Sequence, residues 1–324
     1  MHGHTHADGA GGPGRLNPDA AARITRRTAA ASVAVAAVLV ALKASAWLLS
    51  GSVAMLSSLA DSGLDLLASL FTLLAVRYAA SPPDAKHSFG YGKAEALASL
   101  VQGAFVLVSA TLVAVEAAQR LLRPQPVQAE GVAIGVTLIS VALTAGLVWV
   151  QTRALRRTGS IATAGDRAHY LSDFFANLAV LAGLVGASVF GARWADPAAG
   201  LLVAAYLLHA GWEVWRNAAD HLMDRELPET ERARILALAQ STPGVLGAHA
   251  LRSRASGPNV HVLLHVDVDA GITVAAAHAI IVEAERRIRA VYPAADVLIH
   301  ADPHEGKEPH GEELMGRRHA PPGG

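Results

Sequence analysis

The chain has 324 residues, 27 Lys plus Arg against 27 Asp plus Glu, 52% apolar and 17% charged residues, no cysteine, and a mean hydropathy of +0.33. Soluble domains carry roughly 25% charge, so charge has been removed from long segments of this chain. The absence of cysteine excludes disulfide frameworks, thiolate nucleophiles, iron–sulfur clusters and thiolate-bound zinc. A net charge of zero argues against the concentrated basic surface that nucleic-acid binding requires.

In chain order, residues 1–22 read as a flexible tail in which His2, His4 and His6 can chelate a divalent cation weakly. Six apolar segments follow. Thr28–Ser50 carries only Lys43; Gly51–Val76 carries Asp61 and Asp65; Ala94–Gln119 carries Glu95 and Glu116. Gly131–Thr152 carries no charge, Ala168–Ala192 carries one acid, Asp173, and Pro197–Trp215 carries Glu213. Each is close to the roughly 20 helical residues that span a bilayer core. None shows the polar outer stripe of a soluble bundle. The first begins too late, and has too many successors, to be a cleaved signal peptide. The expectation is a polytopic α-helical membrane protein with six transmembrane helices in residues 23–219. Arg15, Arg23, Arg26 and Arg27 precede the first helix, Lys86 and Lys93 follow the second, and Arg153, Arg156, Arg157 and Arg167 follow the fourth. The opposite loops carry only Arg120, Arg123 and Arg193, which places both termini in the cytoplasm.

Residues 220–302 change character. Pro228–Gln240 reads as a charged amphipathic helix, Ala248–Arg254 as a strand, and "VHVLLHVDV" as a second strand after the turn signal "SGPN". Period two puts Val260, Val262, Leu264, Val266 and Val268 on one face and His261, Leu263, His265 and Asp267 on the other. A helix over about Thr273–Val291 and a strand through "ADVLIH" complete a C-terminal α+β domain. Residues 303–324 read as a second flexible tail.

The function lies in the polar residues at membrane depth. Asp61 and Asp65 stand four apart and share a helix face, and His169 and Asp173 repeat that spacing on the fifth helix. Intramembrane ionisable residues face the bundle interior and mark ion paths. Two opposed pairs offer three carboxylates and an imidazole, a tetrahedral set suited to Zn²⁺. Metal and protons then compete for the same atoms, which is the physical basis of exchange. A closed four-ligand site, without HExxH or GxSxG anywhere in the chain, points to transport and not to an enzyme. Glu95 and Glu116 are set aside as helix-end residues in contact with water. Asn177, Ser57 and Ser58 read equally well as ordinary helix hydrogen-bonding groups, and His209, His221 and His261 as hydrogen-bonded or solvent-facing residues.

The segments "SLADSGLDLLASL", "HSFGYGKAEALASL", "DRAHYLSDFFAN", "DHLMDRELP", "GVLGAHALRSRASGPNVHVLLHVDV" and "DVLIHADP" occur in that order. Together they resemble the cation diffusion facilitator family, particularly its bacterial zinc and ferrous-iron efflux members. The resemblance implies a homodimeric metal/proton antiporter of the cytoplasmic (inner) membrane, with a metallochaperone-like cytosolic domain and Asp61, Asp65, His169 and Asp173 as the transport site. Zn²⁺ is the expected substrate and structural metal, with Fe²⁺, Cd²⁺ and Co²⁺ as alternative cargo; a metal-sensing or structural membrane protein is the alternative from another class. The resemblance also implies a binuclear zinc site from His249, His265, His300 and Asp302, with His278 as an additional ligand. A loop site falls on Asp84 and His87, but Tyr91 stands where relatives carry another histidine. A phenol, protonated up to a pKa near 10, is a poor zinc ligand, so this site is expected to be weak, altered or absent. Lys93 and Asp224 match an ion pair of the family.

Overall fold

The computed structural model describes residues 12, 14–51, 53–122, 131–190 and 195–304. The expected metal-binding role of His2, His4 and His6, and the 305–324 part of the C-terminal tail, lie outside the described residues.

Six long helices come first: α1 (Pro18–Ser50), α2 (Val53–Ala79), α3 (Ala94–Leu122), α4 (Gly131–Thr158), α5 (Ile161–Phe190) and α6 (Ala195–Leu222). They overrun the apolar segments because polar residues continue a helix beyond the lipid as readily as apolar ones. For α1 the signals are local: Asn17 accepts the Asp19 N–H at 3.0 Å, and Pro18 occupies the first turn. Gly51 then ends the helix at φ 62°. The fifth helix starts well before its apolar segment at Ala168, since Ile161–Arg167 adds nearly two turns.

Burial in this bundle is inverted relative to a soluble protein. Leu64, Leu67, Leu74, Val108, Leu112 and Leu202 are exposed, whereas Ser32, Ser69, Thr72, Ser99, Gln102, Thr144 and Gln151 are all at most 2% exposed. Packing between membrane helices gains little from apolar burial and is driven by close backbone approach and interhelical hydrogen bonds. Glycines mark the close approaches. A Cβ at Gly211 of α6 would stand 2.9 Å from Val106 Cγ1 of α3, and one at Gly165 of α5 would stand 2.8 Å from the Ser99 Cα of α3. Among the described residues five helices are long and apolar enough to cross a membrane: α1, α2, α3, α4 and α6. The described first half of α5 carries Asp166, Arg167, His169 and Asp173. The protein is therefore a multi-pass α-helical membrane protein with a C-terminal α+β domain.

That second unit contains α7 (Glu229–Gln240), β1 (Gly247–Ser256), β2 (Asn259–Val268), α8 (Val274–Val291) and β3 (Ala295–Pro303) in a sheet of order β1-β2-β3. A two-residue turn at Gly257 and Pro258 joins β1 to β2, while α8 crosses over to make β3 parallel to β2. The valine face of β2 meets α7 and α8 as its alternation demands: Val260, Leu264 and Val266 are fully buried with Ile235, Ile288 and Tyr292. The other face carries His265, Leu263 and Asp267, together with Leu298, which is 64% exposed.

Candidate metal centres

In the membrane unit α2 and α5 bring Asp65, His169 and Asp173 together. His169 Nε2 lies 3.1 Å from Asp65 Oδ1 and 3.7 Å from Asp173 Oδ2, and one donor atom of each residue falls within 4.8 Å of the others. The His169 side chain is nearly buried. Asp173 Oδ2 is buried and accepts no hydrogen bond, an orphaned acceptor of the kind a cation satisfies. Two carboxylate oxygens and an imidazole nitrogen form a donor set suited to Zn²⁺ and similar divalent ions. Asp61, one turn before Asp65, is exposed and stands outside this three-residue cluster.

Three further polar features of the membrane unit add to the sequence reading. Lys43 of α1 is buried, donates to Ser62 Oγ at 2.7 Å and to the Ser58 carbonyl at 3.2 Å, and interacts electrostatically with Asp61, Asp65 and Asp173. It is thus a basic group beside three acids. Asp166, one turn before His169, is 2% exposed and forms the hub of a five-helix network. Its Oδ2 accepts from Ser32 Oγ of α1 at 2.5 Å and from Gln151 Nε2 of α4 at 2.9 Å; Gln102 Nε2 of α3 approaches Oδ1 at 3.4 Å and donates to Thr72 Oγ1 of α2 at 2.9 Å. Glu95 corrects an expectation. It is 4% exposed instead of water-facing, because its Oε2 accepts the Ser160 hydroxyl at 2.6 Å and its carboxylate also accepts the Ala162 N–H, capping the start of α5. Ser160, immediately before α5, was the available signal, but its acceptor Glu95 lies on α3.

In the α+β unit, parallel register sets His265 beside His300 and Asp267 beside Asp302. Asp302, 3% exposed under the surrounding imidazoles, divides its oxygens between them. Oδ2 lies 2.9 Å from His265 Nδ1 and 3.4 Å from His249 Nε2, while Oδ1 lies 3.2 Å from His300 Nε2. These residues form a donor set suited to a divalent cation, which if held there would tie β1, β2 and β3 together. Asp267, not picked out as a ligand from the sequence, stands 3.7 Å from His249 Nδ1. His278 lies exposed on α8, whose neighbours Ala277 and Ile281 pack against the apolar core, and the structure does not bring it to this cluster. His261 instead meets Asp296 at 3.2 Å.

The loop after α2 is held by Asp84. Its Oδ1 accepts the Lys86 and His87 N–H groups at 2.9 and 2.7 Å, and its Oδ2 accepts the Tyr91 hydroxyl at 2.6 Å. The phenol hydrogen bond, helped by the two backbone donors, pulls the Asp84 carboxyl down to about 2, and the same bond pushes Tyr91 up to about 12. His87 Nδ1 stands 3.4 Å from Asp84 Oδ1, with its ring 4.5 Å from that of Tyr91. Tyr91 acts here as a pin on the carboxylate. Lys93 donates to the Leu222 carbonyl at 3.2 Å, and Asp224 receives Arg254 at 3.0 and 3.1 Å.

Comparison with known proteins gives the family. The family model for the cation efflux transmembrane domain matches residues 29–223, and that for the cation efflux protein cytoplasmic domain matches residues 227–304. The chain is 42% identical over 273 residues to the cation-efflux pump FieF of Shewanella oneidensis, covering 84% of this chain and 92% of that protein. It is 40% identical over 281 residues to the cation-efflux pump FieF of Klebsiella pneumoniae, covering 87% and 93%. A solved structure described as "Mode of Action of a Putative Zinc Transporter CzrB (Zn form)" covers 27% of this chain and 99% of its own at 31% identity, with a TM-score of 0.25. The chain belongs to the cation diffusion facilitator family and is a transport protein, not an enzyme, that carries divalent cations out across a membrane.

Proposed function

We propose that the protein exchanges cytosolic Zn²⁺ for protons across the inner membrane by alternating access. The observation that carries this reading is the placement of His169 Nε2 between Asp65 and Asp173, next to a buried carboxylate oxygen with no hydrogen bond. Asp65, His169 and Asp173 hold the metal in this reading, and Asp61 completes the set from the same face of α2. Ligands bind metal only when deprotonated, so metal capture releases protons and proton entry releases metal. The sharing of protons among coupled ligands makes the exchange a property of the group. Lys43 keeps the metal-free acids from standing as an uncompensated triple negative charge.

In the same reading all six helices span the membrane, and the Arg and Lys clusters at the ends of α1, α2 and α4 keep both termini and the α+β domain in the cytoplasm. Two copies associate. The His249, His265, His300 and Asp302 cluster binds zinc as a structural or regulatory metal, and His278, away from its own cluster, serves the partner's. Asp84 and His87 bind metal weakly at most, because Tyr91 already occupies Asp84.

The test is metal uptake into proteoliposomes with and without a pH gradient, using Zn²⁺, Fe²⁺, Cd²⁺ and Co²⁺. Zn²⁺ should accumulate only with the gradient, and Asp173→Ala should abolish it. Accumulation indifferent to the gradient would remove the antiport reading, while a different preferred ion would replace zinc within the same mechanism. Mass measurement of the intact protein in lipid nanodiscs checks the dimer.

A further inference from the structure

β1 changes phase partway along its length. From Leu251 onward the odd positions enter the core: Leu251 and Ala255 belong to the buried cluster, and Ser253 is 5% exposed. Arg252 and Arg254 remain half-exposed. Before that point the assignment is reversed. Ala248 packs against the same core, whereas Gly247 lies so close under Asp267 that a Cβ would stand 2.3 Å from its Oδ2. His249 shares the face of Gly247, with Asp267 and Asp302 beside it. Unbroken period-two alternation would send His249 into the core with Leu251. The residue between them is Ala250, buried and at φ 52°, in the left-handed region. An extra residue in that conformation is a β-bulge, a device that re-aims side chains along a strand.

We propose that Ala250 is a positioning residue for the cytosolic metal cluster, its left-handed bulge turning His249 out of the core phase and onto the face of Asp267 and Asp302. The inference rests on reading that cluster as a metal site. Alanine suits the position because the site is buried and the Cβ penalty of the left-handed region grows with branching. The bulge also separates two requirements of β1: an apolar phase that closes the core, and a ligand on the opposite face within the same strand.

The experiment measures zinc affinity by chelator competition in the full-length protein carrying Asp173→Ala, which silences the intramembrane site. Asparagine and threonine are close in volume and both polar, but only asparagine readily adopts the left-handed conformation. Ala250→Gly and Ala250→Asn should keep zinc affinity within about 3-fold, while Ala250→Thr should weaken it roughly 10- to 100-fold, as loss of a ligand-orienting group does. In a His249→Ala background the threonine change should have no further effect, and X-ray absorption should count one fewer imidazole in Ala250→Thr. Equal losses for asparagine and threonine, or a threonine effect that persists without His249, would overturn the proposal. If the threonine variant does not fold, a loss of affinity in Ala250→Gly overturns it, and retained affinity there and in Ala250→Asn supports it. If His249→Ala itself leaves zinc binding unchanged, the metal reading of the cluster fails first.

Discussion

His169 of α5 and Asp65 of α2 meet at 3.1 Å across two helices, a donor–acceptor pair that joins them alongside the buried hydroxyl contact of Ser69 with Tyr170 at 2.7 Å. Asp65→Asn keeps the shape and removes a charged ligand. It should weaken zinc binding by more than the roughly 10- to 100-fold that an orienting group is worth, while leaving the thermal midpoint of the metal-free protein unchanged or raised. Isothermal titration in nanodiscs, paired with a thermal melt in chelator, reads both quantities.

Lys43 gives an opposite sign. Its ammonium repels an arriving cation even as it offsets the acids. At a separation on the order of 10 Å and an effective dielectric near 20, the repulsion of a divalent ion is a few kcal/mol. Lys43→Met is therefore expected to tighten zinc binding by at least about 10-fold and to slow release, lowering turnover in the vesicle assay. Weaker binding in this variant would show that Lys43 organises the ligands instead.

The Asp166 hub should show its role in stability. Ala at this position removes the acceptor shared by Ser32, Gln102 and Gln151 and leaves them only their remaining bonds, to the Thr28 carbonyl, Thr72 Oγ1 and Ser32 Oγ, a loss of about 1–3 kcal/mol for the network. Asn preserves part of the network and should cost less. Thermal unfolding of the two variants in the same detergent should rank Asn above Ala.

Two glycines make a paired test of helix approach. Gly146 has open space where a Cβ would go, so Gly146→Ala should stabilise α4 by about 0.5–1 kcal/mol through backbone entropy alone. A Cβ at Gly165 would sit 2.8 Å from the Ser99 Cα. Gly165→Ala should instead lower stability by about 1–3 kcal/mol as α3 and α5 are forced apart. Melting curves that move in the same direction would contradict the packing described.

The Asp84–Tyr91 pair predicts a pH window. Asp84 is depressed to about 2, so its contribution is present above the ordinary carboxylate pKa near 4 and is lost as pH falls through about 2. Tyr91 is raised to about 12, so its contribution is present below about pH 10 and is lost as pH rises through about 12. Ultraviolet titration should find one tyrosine ionising near 12, and Asp84→Asn should return it towards 10. Tyr91→His frees Asp84 Oδ2 and adds an imidazole, and should add one zinc per chain.

Residue spacing within a single element was legible in advance. The alternation of "VHVLLHVDV" already separated the core valines from His265 because both faces of β2 belong to one strand. The i,i+4 spacing likewise paired His169 with Asp173. Features shared between elements were hidden. Asp166 lies before the apolar segment that starts at Ala168, and its partners lie on α1, α3 and α4. Glu95 looked wet because its cap receives Ser160 from another helix. His249 depends on the phase break at Ala250, which no count of alternating residues reveals.

The register of β2 against β3 ties two otherwise separate properties together. Sliding either strand by one residue would exchange its valine and isoleucine positions for its histidine and aspartate positions, placing ionisable groups in the core and breaking the alignment of His265 with His300. Natural variation in this sheet can therefore change side chains at fixed positions, but an inserted or deleted residue within either strand would remove the core and the candidate metal ligands in a single step.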